Sequence, residues 1–113
     1  MTTSRFASTP KPPYYAVIFS SQRTAQGEAD YEAAATHMFD LVQQQPGFLG
    51  VESTRDAEGF GITVAYFDSE ENIKRWRNHE EHAATRERGK REWYEHFEVR
   101  VAKVERAYNG PLK

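Results

Sequence analysis

Both tryptophans of the chain, Trp76 and Trp93, fall in one polar stretch, Ile73–Tyr94 (IKRWRNHEEHAATRERGKREWY), together with His79, His82 and Tyr94. A polar helix carrying such large amphipathic rings buries a single stripe, or lines a pocket or an interface. Asn72, Trp76 and His79 stand four and then three residues apart, so at helical spacing an amide, an indole and an imidazole share one face. This is the one constellation in the sequence with possible chemistry. Histidine is the side-chain type suited to act as a base near neutrality, and His79, on the Trp76 stripe, is the expected general base. His82 points away by about a third of a turn and is expected, with Tyr66, Trp93 and Tyr94, among the substrate-binding residues rather than as the base.

Each of these residues also has a plainer reading. Trp76 stands beside Ile73 and can belong to the edge of the core, Asn72 can serve the start of its helix, and the histidines can lie on a hydrated or subunit-contact face. His79 and His82 are spaced to bring two imidazoles to one metal, but a helical pair needs a third ligand, and H-E-E-H is not the H-E-x-x-H of metalloproteases. No metal is assigned. His37 reads as a surface residue of the first helix and His96 opens the last strand without a partner. Arg86, Arg88, Lys90 and Arg91, interrupted by Glu87 and Glu92, read as a solvated face, with an anionic ligand as the alternative. No P-loop, Gly-rich dinucleotide loop or Ser-His-Asp order occurs.

The chain that must position these groups has 113 residues, enough for one domain and one modest core. Hydrophobic content of 38% is low, and aromatics at 13% supply much of the burial. Fifteen basic against seventeen acidic residues give a net charge of −2, which provides no long-range pull towards nucleic acid or an anionic membrane. The absence of cysteine excludes disulfides, thiolate nucleophiles and Cys-ligated clusters. Residues 1–13 read as a flexible N-terminal arm without a signal peptide, and no later segment approaches a membrane span, so a cytoplasmic protein is expected.

Tyr14–Arg23 is β-branched and aromatic and reads as a strand. Tyr31, Ala34, Ala35, Met38, Leu41 and Val42 then form a helical stripe ended by Pro46-Gly47. Phe48–Arg55 and Phe60–Phe67 are strands joined at Gly59. Asp68 and Glu71 suggest a capping box for a second helix running to about Arg88, with Gly89 as its stop. Trp93–Tyr108 reads as the last strand. The order β-α-β-β-α-β predicts an α+β, ferredoxin-like domain over 14–108 with a short tail over 109–113: four antiparallel strands with two helices on one face. Alternation puts Ile62, Val64 and Tyr66 opposite Ala65 and Phe67, and both faces are apolar. The helices cover one face only, so a homodimer with sheets face to face is expected.

The segment Gln45–Ser53 (QPGFLGVES) and the downstream series Trp76, Glu81-His82, Gly89, Trp93-Tyr94, Arg100-Val101 and Val104 resemble the antibiotic biosynthesis monooxygenase domain, most closely its small uncharacterised bacterial members. The resemblance spans about Tyr14 to Tyr108 and implies the dimeric α+β barrel. It further implies an O2-dependent monooxygenase without metal or flavin, in which Asn72 hydrogen-bonds an oxygen of an aromatic substrate and Trp76 stacks on its ring. Quinone-forming relatives have a Tyr where His82 stands. In the haem-degrading branch a Trp matching Trp76 works with a His ten residues on and an Asn in the first strand; here those places hold Arg86 and Ser20-Ser21, so only Trp76 matches. Haem binding or degradation, and a non-enzymatic dimeric binding or stress-associated barrel, are the alternatives. Any small aromatic ligand is expected between helices and sheet, lined by Trp76, His79, Trp93 and whichever of Tyr66 and Phe67 faces the helices, with Tyr66 preferred because it continues the Ile62–Val64 row.

Overall fold

The rigid β-branched and aromatic run at the start of the domain forms β1 (Tyr14–Arg23), the central strand of the sheet. The computed structural model describes residues 5–111. After β1 come α1 (Glu28–Val42), β2 (Phe48–Arg55), β3 (Phe60–Phe67), α2 (Glu70–Asn78), α3 (Glu80–Arg88) and β4 (Tyr94–Val104), with a π-helical turn, Gly89–Trp93, leading into β4. All strand pairs are antiparallel and their order is β2-β3-β1-β4, the split βαβ arrangement expected of a ferredoxin-like domain.

Four features depart from the expected elements. The second helical segment is divided at His79, whose ψ of 129° takes the backbone out of the helix. Ser69 rather than Asp68 caps α2, accepting from the Asn72 N–H at 3.1 Å. Gly89 does not stop the helix. It begins the π turn, and it is glycine because a Cβ there would lie 3.0 Å from the Tyr94 ring. β4 accordingly starts at Tyr94 and ends at Val104, shorter than the expected Trp93–Tyr108.

Register assigns the two faces. Phe19, Ser21 and Arg23 share a face with Thr63, Ala65 and Phe67 of β3 and with Phe97, Val99 and Val101 of β4. The helices lie on this side, since the Arg23 guanidinium sits 3.7 Å from the ring centre of Tyr31 in α1. Phe67 is fully buried here, edge-on to Phe48. The opposite face carries Tyr14, Ala16 and Ile18 beside Tyr66, Val64, Ile62 and Phe60. Phe60 and Ile62 remain 47% and 39% exposed. Part of that face is lined by residues ahead of β1: the Ala7 N–H donates to Glu52 Oε2 at 3.0 Å and Thr9 Oγ1 donates to the Tyr14 hydroxyl at 3.2 Å. Residues 1–4 of the arm and 112–113 of the tail lie outside the described residues.

Core packing is concentrated where β1 ends. Trp93 is 3% exposed and edge-on to Tyr31. Its carbonyl accepts from Arg23 Nε at 3.0 Å and from the Thr24 N–H at 2.8 Å. At the other end of the domain the chain turns through Gly47 (φ 76°), whose carbonyl accepts from the Asp68 N–H at 2.9 Å. A Cβ at Gly47 would overlap Asp68 Oδ1 and Asn72 Nδ2. Gly47→Ala therefore combines a left-handed backbone with a steric clash, and should lower the unfolding free energy by about 1–3 kcal/mol. A urea titration with unchanged slope and a lower midpoint is the expected result.

Candidate functional site

The helical hairpin α2–α3 carries its charges in a repeated order. Glu70 and Glu71 open α2 and Arg75 and Arg77 close it; Glu80 and Glu81 open α3 and Arg86 and Arg88 close it. Acids at an N-terminus and bases at a C-terminus complement each helix dipole, so this sequence favours two short helices over one long one. Asn78 and His79, both modest helix formers, fill the junction. The same charge order was readable in the sequence and was the missed signal for the break.

The break decides which imidazole meets Trp76. An unbroken helix would place His79 on the Trp76 stripe. Instead α3 folds back, and the His82 ring stacks on Trp76 with centroids 4.2 Å apart and planes inclined by 10°. His82 Nδ1 lies 2.9 Å from the Trp76 carbonyl oxygen. His79 is tilted by 43° at 5.6 Å, and its Nδ1 is buried without a hydrogen-bond partner. The expected substrate-binding residue His82 is thus the close partner of Trp76 and the expected base His79 the looser one. Burial pushes the His82 imidazole below the usual histidine range, opposed by its bond to the Trp76 carbonyl and assisted by the nearby Arg86 and His79. That direction favours the neutral ring.

Asn72 stands one turn before Trp76, its Nδ2 donating to Asp68 Oδ1 at 2.8 Å. The remaining expected residues divide among other places. Trp93 packs in the core beside Tyr31, with the Arg88 guanidinium 4.9 Å from its ring centre. Tyr94 donates to the Tyr31 hydroxyl at 3.3 Å and packs edge-on to Phe19 and Phe97, and burial pushes its phenol well above the usual tyrosine range. Tyr66 does not face the helices: alternation gives that place to Phe67, and the Tyr66 hydroxyl donates to Glu52 Oε1 at 2.7 Å on the opposite face. The row Ile62–Val64–Tyr66 was read correctly as a row and assigned to the wrong side.

The surroundings of α2–α3 are open. Neither helix has a fully buried residue, and on the helix-facing side of the edge strand β4 Val99 and Val101 stay 52% and 50% exposed. Two surface pairs tie α3 to α1: His37 to Glu81 and Arg88 to Asp30, each at 3.0 Å. A cleft of about 440 Å3 lies elsewhere, at the β2–β3 turn, among Arg23, Thr24, Glu28, Arg55, Asp56 and Glu95. Among the described residues no group of three or more His, Asp or Glu is placed to hold a metal. The haem-degrading set does not assemble either: Arg86 is bonded to the Arg77 carbonyl, Ser21 is buried against Arg55, and Ser20 points to the other face of the sheet.

Comparison with known proteins gives the family and the fold. Residues 14–88 match the family described as antibiotic biosynthesis monooxygenase. The chain belongs to that family. It is 54% identical over 100 residues to the uncharacterised protein YqjZ of Bacillus subtilis, a match covering 88% of this chain and 87% of that protein. In fold it is similar to SnoaB, a cofactor-independent oxygenase from Streptomyces nogalater, with a TM-score of 0.71, 10% identity, and 85% and 97% of the two chains covered. It is likewise similar to Rv0793 of Mycobacterium tuberculosis, with a TM-score of 0.72, 15% identity and coverages of 84% and 99%.

Within this family member Tyr66 is a tyrosine with a distinct titration. Burial first, and the Glu52 carboxylate second, push its phenol up to about 12. Because the folded value lies above the ordinary one, the neutral phenol contributes stability that is complete below pH 10 and lost as pH rises through about 12. Ultraviolet titration should show late tyrosinate absorbance from Tyr66 and Tyr94, whose component near pH 12 is lost in Tyr66→Phe and moves to lower pH in Glu52→Gln.

Proposed function

We propose that this protein is an O2-dependent monooxygenase acting on a small, electron-rich aromatic compound without metal or flavin, and that it works as a homodimer through the face carrying Phe60, Ile62 and Val64. The observation that carries the enzymatic reading is the stacked Trp76–His82 pair one helical turn beyond Asn72. It places a ring platform, an amide and a neutral imidazole on one exposed hairpin in a chain of this family. SnoaB, similar in fold, is described as a cofactor-independent oxygenase, which supports the absence of a metal or flavin.

The chemistry suited to such groups begins with a proton. A histidine of the α2–α3 junction removes it from an acidic phenol or from the CH2 between two aromatic rings, and Asn72 hydrogen-bonds the oxygen that becomes negative. The electron-rich anion then reduces O2. For an anthrone-type CH2 the stoichiometry closes without an outside reductant: two C–H bonds are lost, one oxygen atom becomes the new carbonyl, and the other leaves as water with the two hydrogens. Because His82 is stacked on Trp76, such a ligand meets the edge of the pair rather than the covered indole face. A non-catalytic ligand-binding barrel is the second reading, favoured by the position of the 440 Å3 cleft away from Trp76.

Purified protein should consume O2 with an anthrone, and Asn72→Ala or Trp76→Phe should slow it by roughly tenfold each, the loss of one good hydrogen bond or ring contact. Turnover unchanged in the double variant removes both residues from the mechanism, and no O2 uptake at all leaves the binding reading. Light scattering should give about twice 13.0 kDa; a monomer that persists at micromolar concentration overturns the dimer.

A further inference from the structure

The proposed reaction needs a base, and the α2–α3 junction contains two histidines. Backbone geometry separates them. α2 ends at Asn78, and the extended His79 carries the Glu80 N–H away from the Trp76 carbonyl, the acceptor it would have used in a continuous helix. That carbonyl is left with a weaker, earlier bond from the His79 N–H at 3.1 Å and a second lone pair. His82 Nδ1 occupies the second lone pair at 2.9 Å.

A carbonyl oxygen can only accept, so the hydrogen must reside on His82 Nδ1. In a neutral imidazole the other nitrogen then carries the lone pair. His82 Nε2 has no hydrogen-bond partner among the described residues, and it is not one of the buried unpartnered atoms. Stacking on Trp76 fixes the plane of the ring, so this lone pair points parallel to the indole and past its edge. His79 has only the second property: its Nε2 is likewise not one of the buried unpartnered atoms, but no hydrogen bond sets its tautomer, and its Nδ1 is closed off from any ligand.

We propose that His82, held as the Nδ1–H tautomer by the Trp76 carbonyl, is the base of this site, its Nε2 taking the acidic proton of a phenol or anthrone that approaches in the imidazole plane. The proposal rests on the monooxygenase reading above and names the proton acceptor within it. In the step an O–H or C–H bond of the ligand breaks, an N–H bond forms at Nε2, and the electron pair stays on the ligand as its anion. The cation acting on His82 is Arg86, one turn later on α3, and the titratable group beside it is His79 at the junction. Arg86 favours the ligand anion and return of the proton from the ring, so the base is reset without a carboxylate partner. The Trp76 carbonyl is a positioning group: it acts through His82 and touches no ligand.

The test uses a variant that keeps the clasp and removes the base. The side-chain amide of His82→Asn places an N–H near the position of Nδ1, where it can still donate to the Trp76 carbonyl, but it cannot accept a proton from a ligand. First, long-range proton–nitrogen correlation spectra of histidine-labelled protein at pH 7 should show one ring as a pure Nδ1–H tautomer, missing in His82→Asn. A His82 signal of the Nε2–H form, or one averaged between the two, overturns the proposal. Second, dithranol, a dihydroxyanthrone, is mixed with the protein under argon and its anion absorbance recorded. Wild type should raise the anion fraction, and His82→Asn should reduce that rise at least tenfold while its circular dichroism stays that of wild type. No anion with wild type, or loss of the band in His79→Gln with retention in His82→Asn, overturns the assignment. Admitting air separates the two readings: ionisation that depends on His82 but is followed by no O2 uptake keeps the base and rejects the oxygenase.

Discussion

One buried cation holds the domain together. Arg23 ends the central strand with only 7% of its surface exposed, and its guanidinium reaches three separate parts of the chain. It donates to the Trp93 carbonyl in the turn before β4, donates to the Gln26 carbonyl ahead of α1 at 2.9 Å, and covers the Tyr31 ring. Its carboxylate partner, Glu28, accepts from Nη1 at 3.4 Å and is itself largely exposed. A charge taken out of water on those terms is tolerable only because neutral acceptors and an aromatic face replace its hydration. Removing any of them would leave an unsatisfied ion in the core, so the positions of Trp93, α1 and the π turn are mutually dependent.

That dependence explains how the two halves of the aromatic set came to have different duties. Trp93 and Tyr94 sit within the Arg23–Tyr31 node, where Arg55 adds a second guanidinium bonded to the Tyr31 hydroxyl and to Ser21. They hold the last strand against the first helix. Trp76 lies in the one hairpin whose helices have no fully buried residue, and its nearest ring partner comes from its own hairpin rather than from the core. Ion pairs at the surface, each worth at most about 1 kcal/mol, are weak fastenings. Rigidity is concentrated at one end of the domain and latitude at the other.

Period and punctuation were enough to read the strands and α1. β1, β2 and β3 have the bounds that their apolar runs and Gly59 suggested, and α1 begins at Glu28. What failed was orientation and continuity. Alternation divides Tyr66 from Phe67 but carries no sign, and only the register with β1 shows which of them meets the helices. Helical spacing was applied to Trp76 and His79 as though nothing interrupted the helix, whereas paired acids at Glu80-Glu81 mark a fresh N-terminus. Gly89 was read as punctuation although its reason is steric, a ring from five residues on that leaves no room for a Cβ. Local signals predict elements; the relation between elements depends on contacts that are distant in the sequence.

The pairing of Tyr14 with Val104 has a bearing on how the chain is made. β1 lies between β3 and β4, so its first residue finds one of its two neighbours only when the last strand has been synthesised. Until then a ribosome-bound chain offers β1 as a bare edge, rich in β-branched and aromatic residues and open to pairing with another nascent copy. The closure entropy of so long a loop falls on that step, making the β1–β4 ladder a late event in a sheet whose other central pairing, β1 with β3, is also distant in the sequence. How many chains reach the native sheet then depends on how fast β1 closes onto β4 relative to its pairing with another copy.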